Sequence, residues 1–171
     1  MGEVTAVVLT VLAFAAAGSS PGSWVVHPDG RVGPFRIDAT AEAQIRPVLG
    51  NPLEVEKDFW PGKRGVYGST LTYRCGPKCT TQYSINARTG KLSDFWSQSQ
   101  RFATERGTRP GVTAREAKSR EGKPLVPGCG FPRYIHLRWD ERHIVVLAIF
   151  HGKVDSIGYL GPHTVYYEGL C

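Results

Sequence analysis

Apolar and polar residues alternate through two stretches, 71–75 and 79–86, on either side of Gly76-Pro77-Lys78. A period of two predicts a β-hairpin with distinct faces. Leu71, Tyr73, Cys75, Cys79, Thr81, Tyr83 and Ile85 share one side; Thr72, Arg74, Thr80, Gln82 and Ser84 share the other. The first side is expected to pack on a core and the second to be wet. A second pair, 134–139 and 143–150, flanks Asp140-Glu141-Arg142. There the alternation places Ile135, Leu137, Trp139, Ile144, Val146, Ala148 and Phe150 on the apolar side. His136, Arg138 and His143 fall opposite, with Val145, Leu147 and Ile149. The stretch 143–150 is therefore apolar on both faces. Its second face needs a cover from the neighbouring unit, the C-terminal segment or a partner. A third strand follows each hairpin, entered through Thr89-Gly90-Lys91 in one case and His151-Gly152-Lys153 in the other.

Two short helical patterns precede these strands. Ala41-Glu42-Ala43-Gln44-Ile45 runs to Gly50-Asn51-Pro52, and Thr113-Ala114-Arg115-Glu116-Ala117 runs to Gly122-Lys123-Pro124, an offset of 72 residues (41 to 113). Each ends at Gly with Pro two residues on, a stop signal with a physical cause. Thr113 with Glu116 reads as a capping box, while Pro47 is expected to cut the first helix short. The Gly-Lys turns match at an offset of 62 (90 to 152). The predicted fold class is α+β: two tandem units, each a short helix followed by an antiparallel β-meander, with the sheets side by side. Unit one spans 34–104 and unit two 105–171. Residues 18–33 form a linker or one short strand around Trp24-Val25-Val26.

Composition narrows the classes. At 41% hydrophobic and 21% charged over 171 residues, a packed core is feasible and a disordered chain is excluded. With 20 Gly and 12 Pro there are too many turn formers for a coiled coil. The apolar run 4–17 ends in Ala15-Ala16-Ala17, which reads as a signal peptide over 1–17, although Glu3 stands where a basic residue is usual. An uncleaved anchor and a buried N-terminal segment are the alternatives. The expected location is secreted or periplasmic, with no transmembrane domain in the mature form. Four cysteines fit that compartment as disulfides. Cys75 and Cys79 flank a tight turn and can close locally, which leaves Cys129 for Cys171. A zinc site would need paired short spacings, which Cys129 and Cys171 lack.

The duplicated helix stops, the Gly-Lys turns and the four cysteines together resemble the beta-lactamase-inhibitory-protein family. The motif Thr113-Ala114-Arg115-Glu116-Ala117 is also similar to the start of the SmpA/OmlA outer-membrane lipoprotein repeat. No cysteine follows the apolar run, a departure from the lipoprotein pattern. The resemblance implies a secreted scaffold whose sheets form a concave protein-binding surface. No inhibitor contact aligns residue by residue, so only that broader class carries over.

The chain has no HExxH, Walker, dinucleotide-binding or EF-hand motif. His136 and His143 flank one hairpin with Asp140 and Glu141 between them, a metal-ligand set on paper if both imidazoles share a face. A polar sheet face beside Arg138 and Arg142 is the plainer reading, and a metal-dependent hydrolase the minor one. The loop Phe59-Trp60-Pro61-Gly62-Lys63-Arg64-Gly65 sets two aromatics beside two cations, the residue types that dominate interfaces. Trp24, Phe95, Trp96, Phe131, Tyr166 and Tyr167 are expected to fill the core and the seam between units. The stretch 101–123 carries seven cations against Glu105, Glu116 and Glu121. It is either an ordinary solvated surface or a holder of anionic envelope polymers.

The expected function is accordingly non-enzymatic protein binding, inhibitor-like, by a monomer with no cofactor, no metal and no nucleic acid partner. Candidate binding residues are Phe59, Trp60, Lys63, Arg64, Arg74, Gln82, His136, Arg138 and His143. An anionic envelope polymer bound through 101–123 is the alternative.

Overall fold

The computed structural model of the chain describes residues 23–57, 67–127, 133–139 and 143–161. Three short strands come first, β1 (Trp24–Val26), β2 (Arg31–Val32) and β3 (Phe35–Arg36), then helix α1 (Glu42–Leu49). An antiparallel run follows: β4 (Glu54–Lys57), β5 (Tyr67–Gly76), β6 (Cys79–Asn86) and β7 (Leu92–Ser97). After β8 (Phe102–Thr104) comes helix α2 (Ala114–Glu121). A second run closes the order: β9 (Val126–Pro127), β10 (Arg133–Trp139), β11 (Ile144–Phe150) and β12 (Lys153–Leu160). Among the described residues the fold is α+β and strand-rich, with two short helices and two sheets.

The larger sheet has the order β4-β5-β6-β7-β12-β11-β10-β9. The two antiparallel runs meet edge to edge because β7 pairs antiparallel with β12, so the strands form one continuous sheet. The smaller sheet, β3-β2-β1-β8, pairs β1 with β8 in parallel.

Alternation in β5 and β6 sets the two sides, but the second is wet only at Arg74. Thr72 is buried and Thr80, Gln82 and Ser84 are half-buried, while Cys75 on the first side is exposed. Leu71 lies opposite Tyr83, and Tyr83 opposite Phe95. The same row continues to Tyr159, which pairs with both Phe95 and Val145. Leu71, Tyr83, Phe95, Tyr159 and Val145 are all buried on what we term the packed face. The small sheet and both helices meet this face. Phe35 stands edge-on to Tyr83 at 5.4 Å between ring centroids, and Phe102 lies 4.7 Å from Phe95. Ile45 of α1 and Ala117 of α2 are fully buried in the same cluster.

The helix ends have distinct causes. The Thr113 hydroxyl accepts the Glu116 amide at 3.2 Å, which satisfies one orphan donor of α2. The Glu116 carboxylate pairs with Arg120 rather than returning to Thr113, so only half of the predicted box forms. At α1 the side-chain carbonyl of Gln44 accepts the Ala41 amide at 2.8 Å. Pro47 sits inside α1, which still runs two residues further to Leu49. Its position in the final turn limits the loss to one backbone bond.

The second hairpin departs from its predicted faces. Ile135 lies opposite Leu147 and His136 opposite Val146, so Ile135 does not share a side with Val146. A bulge between His136 and Arg138 then shifts the register, and Arg138 faces Val145. One extra residue exchanges the two sides of a strand, which simple alternation cannot register. Strand β11 is buried on both faces: Val145, Val146 and Leu147 are all at 0% exposure. The Cys75–Cys79 disulfide is formed, with Cα atoms 5.0 Å apart. Segment 1–17, Cys129, Cys171 and the Asp140-Glu141-Arg142 turn lie outside the described residues.

Candidate functional site: the second face of the large sheet

The face opposite the core carries a row set by register across consecutive strands. Thr72 pairs with Gln82, Gln82 with Trp96, Trp96 with Gly158, Gly158 with Val146 and Val146 with His136. Pairing in register and alternation by two put all six on the same side. Gln82, Trp96 and His136 are half-buried, whereas Thr72 and Val146 are buried.

Trp96 and Gly158 form the centre of this row, at the β7–β12 junction. A Cβ on Gly158 would lie 2.0 Å from Cζ3 and 2.1 Å from Cε3 of Trp96. The indole therefore occupies the space of the missing side chain and lies against the backbone of the paired strand. The backbone of Gly158 thus holds a flat apolar surface with one indole N–H donor. Tyr134, two residues before His136 on β10, stacks on the His136 ring with centroids 6.2 Å apart. Burial pushes the His136 imidazole below its ordinary value and the Tyr134 phenol above it. Both changes favour neutral rings. Arg74 stands on the same face opposite Thr80 and is exposed.

Beside the row, Asp94 is buried and pairs with Ser84 and Leu160. Its carboxylate accepts the Ser93 hydroxyl at 2.7 Å and the Gly161 amide at 3.2 Å. Burial raises the carboxyl to about 7; the Ser93 and Gly161 hydrogen bonds oppose the rise and the Asp38 charge adds to it.

The predicted binding residues thus divide. Arg74, Gln82 and His136 share the second face. Arg138 and His143 stand on the packed face. The Arg138 guanidinium donates to the Pro28 carbonyl, and the His143 ring lies 5.7 Å from that of Tyr159. His136 and His143 consequently do not share a face, against the metal-ligand expectation. Among the described residues no group of three His, Cys, Asp or Glu side chains converges as a metal site. Phe59, Trp60, Lys63 and Arg64 lie outside the described residues. Trp96, expected in the core or the seam, is instead the half-buried centre of the second face. Its alternation with the buried Phe95 carries that signal in the sequence.

No family model matches the chain, and no curated protein matches it. Among solved structures it is similar to an extracellular protein containing a SCP domain from Bacillus anthracis str. Ames. The TM-score is 0.43 at 13% identity, covering 73% of this chain and 44% of that one. The chain thus spans less than half the length of that protein, and a likeness of this extent carries no argument about function. Among the described residues no helix is long and apolar enough to cross a membrane.

Proposed function

We propose that the chain is a secreted, non-enzymatic binding protein of two tandem units that receives a protein partner on the second sheet face. The observation that carries the reading is the row Gln82–Trp96–Gly158–Val146–His136, which spans five neighbouring strands and both halves of the sheet. A half-buried Trp beside the Gln82 amide suits a hot spot, where an aromatic anchor sits among polar contacts. No HExxH, Walker or dinucleotide-binding motif occurs in the sequence, and the Cys75–Cys79 disulfide fits an oxidising compartment.

Local contacts support the tandem reading. Ala41 bridges Lys91, and Thr113 bridges Lys153, so each helix start meets its own Gly-Lys turn. The Leu92 amide donates to the Thr40 carbonyl and the Val154 amide to the Val112 carbonyl, both at the offsets of 72 and 62 seen in the sequence. Trp96 and Gly158 are themselves 62 apart, and they pair with each other. In a tandem chain they are equivalent positions meeting at a pseudo-twofold axis. Two indoles would collide there, so one copy must carry a small residue.

Capture from the producing organism's culture fluid on the immobilised, oxidised full chain tests the binding reading. A central Trp contributes about 2 kcal/mol or more, so Trp96→Ala should weaken capture of the partner by about 30-fold. Arg88→Ala, in the β6–β7 turn, should leave it unchanged. Equal capture by Trp96→Ala and the parent, with Trp96→Ala folded by circular dichroism, would remove the face from consideration.

A further inference from the structure

The cations of segment 101–123 are not equivalent once their contacts are sorted. Arg101 lies 3.6 Å over the Trp24 ring. The Arg106 guanidinium donates at 3.0 Å to the carbonyls of both Arg120 and Glu121, at the C-terminal end of α2. Arg120 donates to the Gly107 carbonyl at 2.9 Å and pairs with Glu116. The carboxylates are equally committed: Glu105 to His27 at 2.7 Å, and buried Glu121 to the Thr104 hydroxyl at 2.6 Å. Arg109, Arg115, Lys118 and Lys123 remain, and among the described residues no carboxylate lies within ion-pair distance of them.

Arg115, Lys118 and Lys123 line one open depression of about 480 Å³, together with Ser119, Gly122 and Pro124. Positions 115, 118, 119 and 122 fall on one side of a helix, and no acidic residue is in the lining. Compensation of the helix dipole does not account for three charges. A helix C-terminus carries only about half an elementary charge, and Arg106 already meets its carbonyls. The surplus cations repel one another until an anion enters between them.

We propose that this depression binds a linear, phosphate-bearing polyanion. Arg115 and Lys118 stand on α2 and Lys123 just past its C-cap Gly122, a line of cations over about 10 Å of helix axis that suits successive charges along a chain. Pro124 is the one wholly apolar side chain in the lining, beside the aliphatic stems of Arg115, Lys118 and Lys123. The proposal concerns α2 and is independent of the sheet face.

Long-chain inorganic polyphosphate is the probe, titrated against the oxidised full chain at several salt concentrations. Neutralising three phosphates on a flexible polyanion gives a slope of about −2 in log K against log salt, or about a 20-fold loss between 50 and 200 mM. The triple variant Arg115→Gln, Lys118→Gln, Lys123→Gln should bind at least 20-fold more weakly at 50 mM. A charge-matched control, Arg36→Gln, Lys78→Gln, Arg88→Gln, changes exposed cations elsewhere and should retain affinity within about threefold. Equal weakening by both triple variants would reduce the effect to net charge and overturn the site. So would binding to anionic phospholipid vesicles without binding to polyphosphate, or orthophosphate binding as tightly per phosphate as the polymer.

Discussion

Replacing Asp94 with Asn should change how folding stability depends on pH. The carboxyl is buried on the second face and held by Ser93 and Gly161, and burial raises it from 3.8 to about 7. Below pH 4 it is protonated in both the folded and unfolded chain and contributes no pH dependence. Between pH 4 and 7 the folded chain holds the proton while the unfolded chain releases it. Stability therefore falls as pH rises through that window and levels off above it. At 1.36 kcal/mol per pH unit, a rise from 3.8 to about 7 corresponds to about 4 kcal/mol. Asn has no proton to lose, and its carbonyl still accepts the Gly161 amide. The stability of Asp94→Asn relative to the parent should therefore climb by about 4 kcal/mol from pH 4 to pH 8. Urea unfolding followed by circular dichroism at half-unit pH intervals gives both curves. A difference that is flat with pH, or that shrinks as pH rises, would refute the reasoning.

Other substitutions test individual contacts. Gly158→Ala places a methyl group within the Trp96 ring and should cost about 1–3 kcal/mol, with a shift in tryptophan emission; unchanged stability would mean the indole moves freely. Thr104→Val removes the hydroxyl that serves buried Glu121 and should cost about 1.5–3 kcal/mol in urea unfolding, more than the same change at exposed Thr89. The double variant Cys75→Ser, Cys79→Ser opens a loop of about five residues, so chain entropy predicts a loss of about 2 kcal/mol. A loss far above that would give the bridge a larger part in the native packing.

Local signals read well where the chemistry was local. The Gly stops of both helices, the Thr113 cap, the Gly-Lys turns and the Cys75–Cys79 closure need only neighbours in sequence. The faces of β5 and β6 also follow from alternation, because no bulge interrupts Leu71 to Tyr73 or Thr81 to Tyr83. The second hairpin misled for the opposite reason. Its bulge at Leu137 reverses the side of Arg138, and no local composition marks it. Long-range partnering was illegible as well. The parallel pairing of β1 with β8, Arg138 on the Pro28 carbonyl and Trp96 against Gly158 join residues far apart in sequence. Charge counting found the basic stretch but not which cations were already committed, since that depends on the carbonyls and rings around them.

A photo-crosslinking side chain placed at Gln82 tests the binding face most directly, with the same group at Arg88 as its comparison. Gln82 neighbours Trp96 within the row, whereas Arg88 sits in the exposed turn beyond β6. Irradiated in culture fluid, the Gln82 position should yield a discrete cross-linked protein that Trp96→Ala abolishes, and the Arg88 position should not. The same partner captured from Arg88 and not from Gln82 would place binding elsewhere on the molecule and contradict the account.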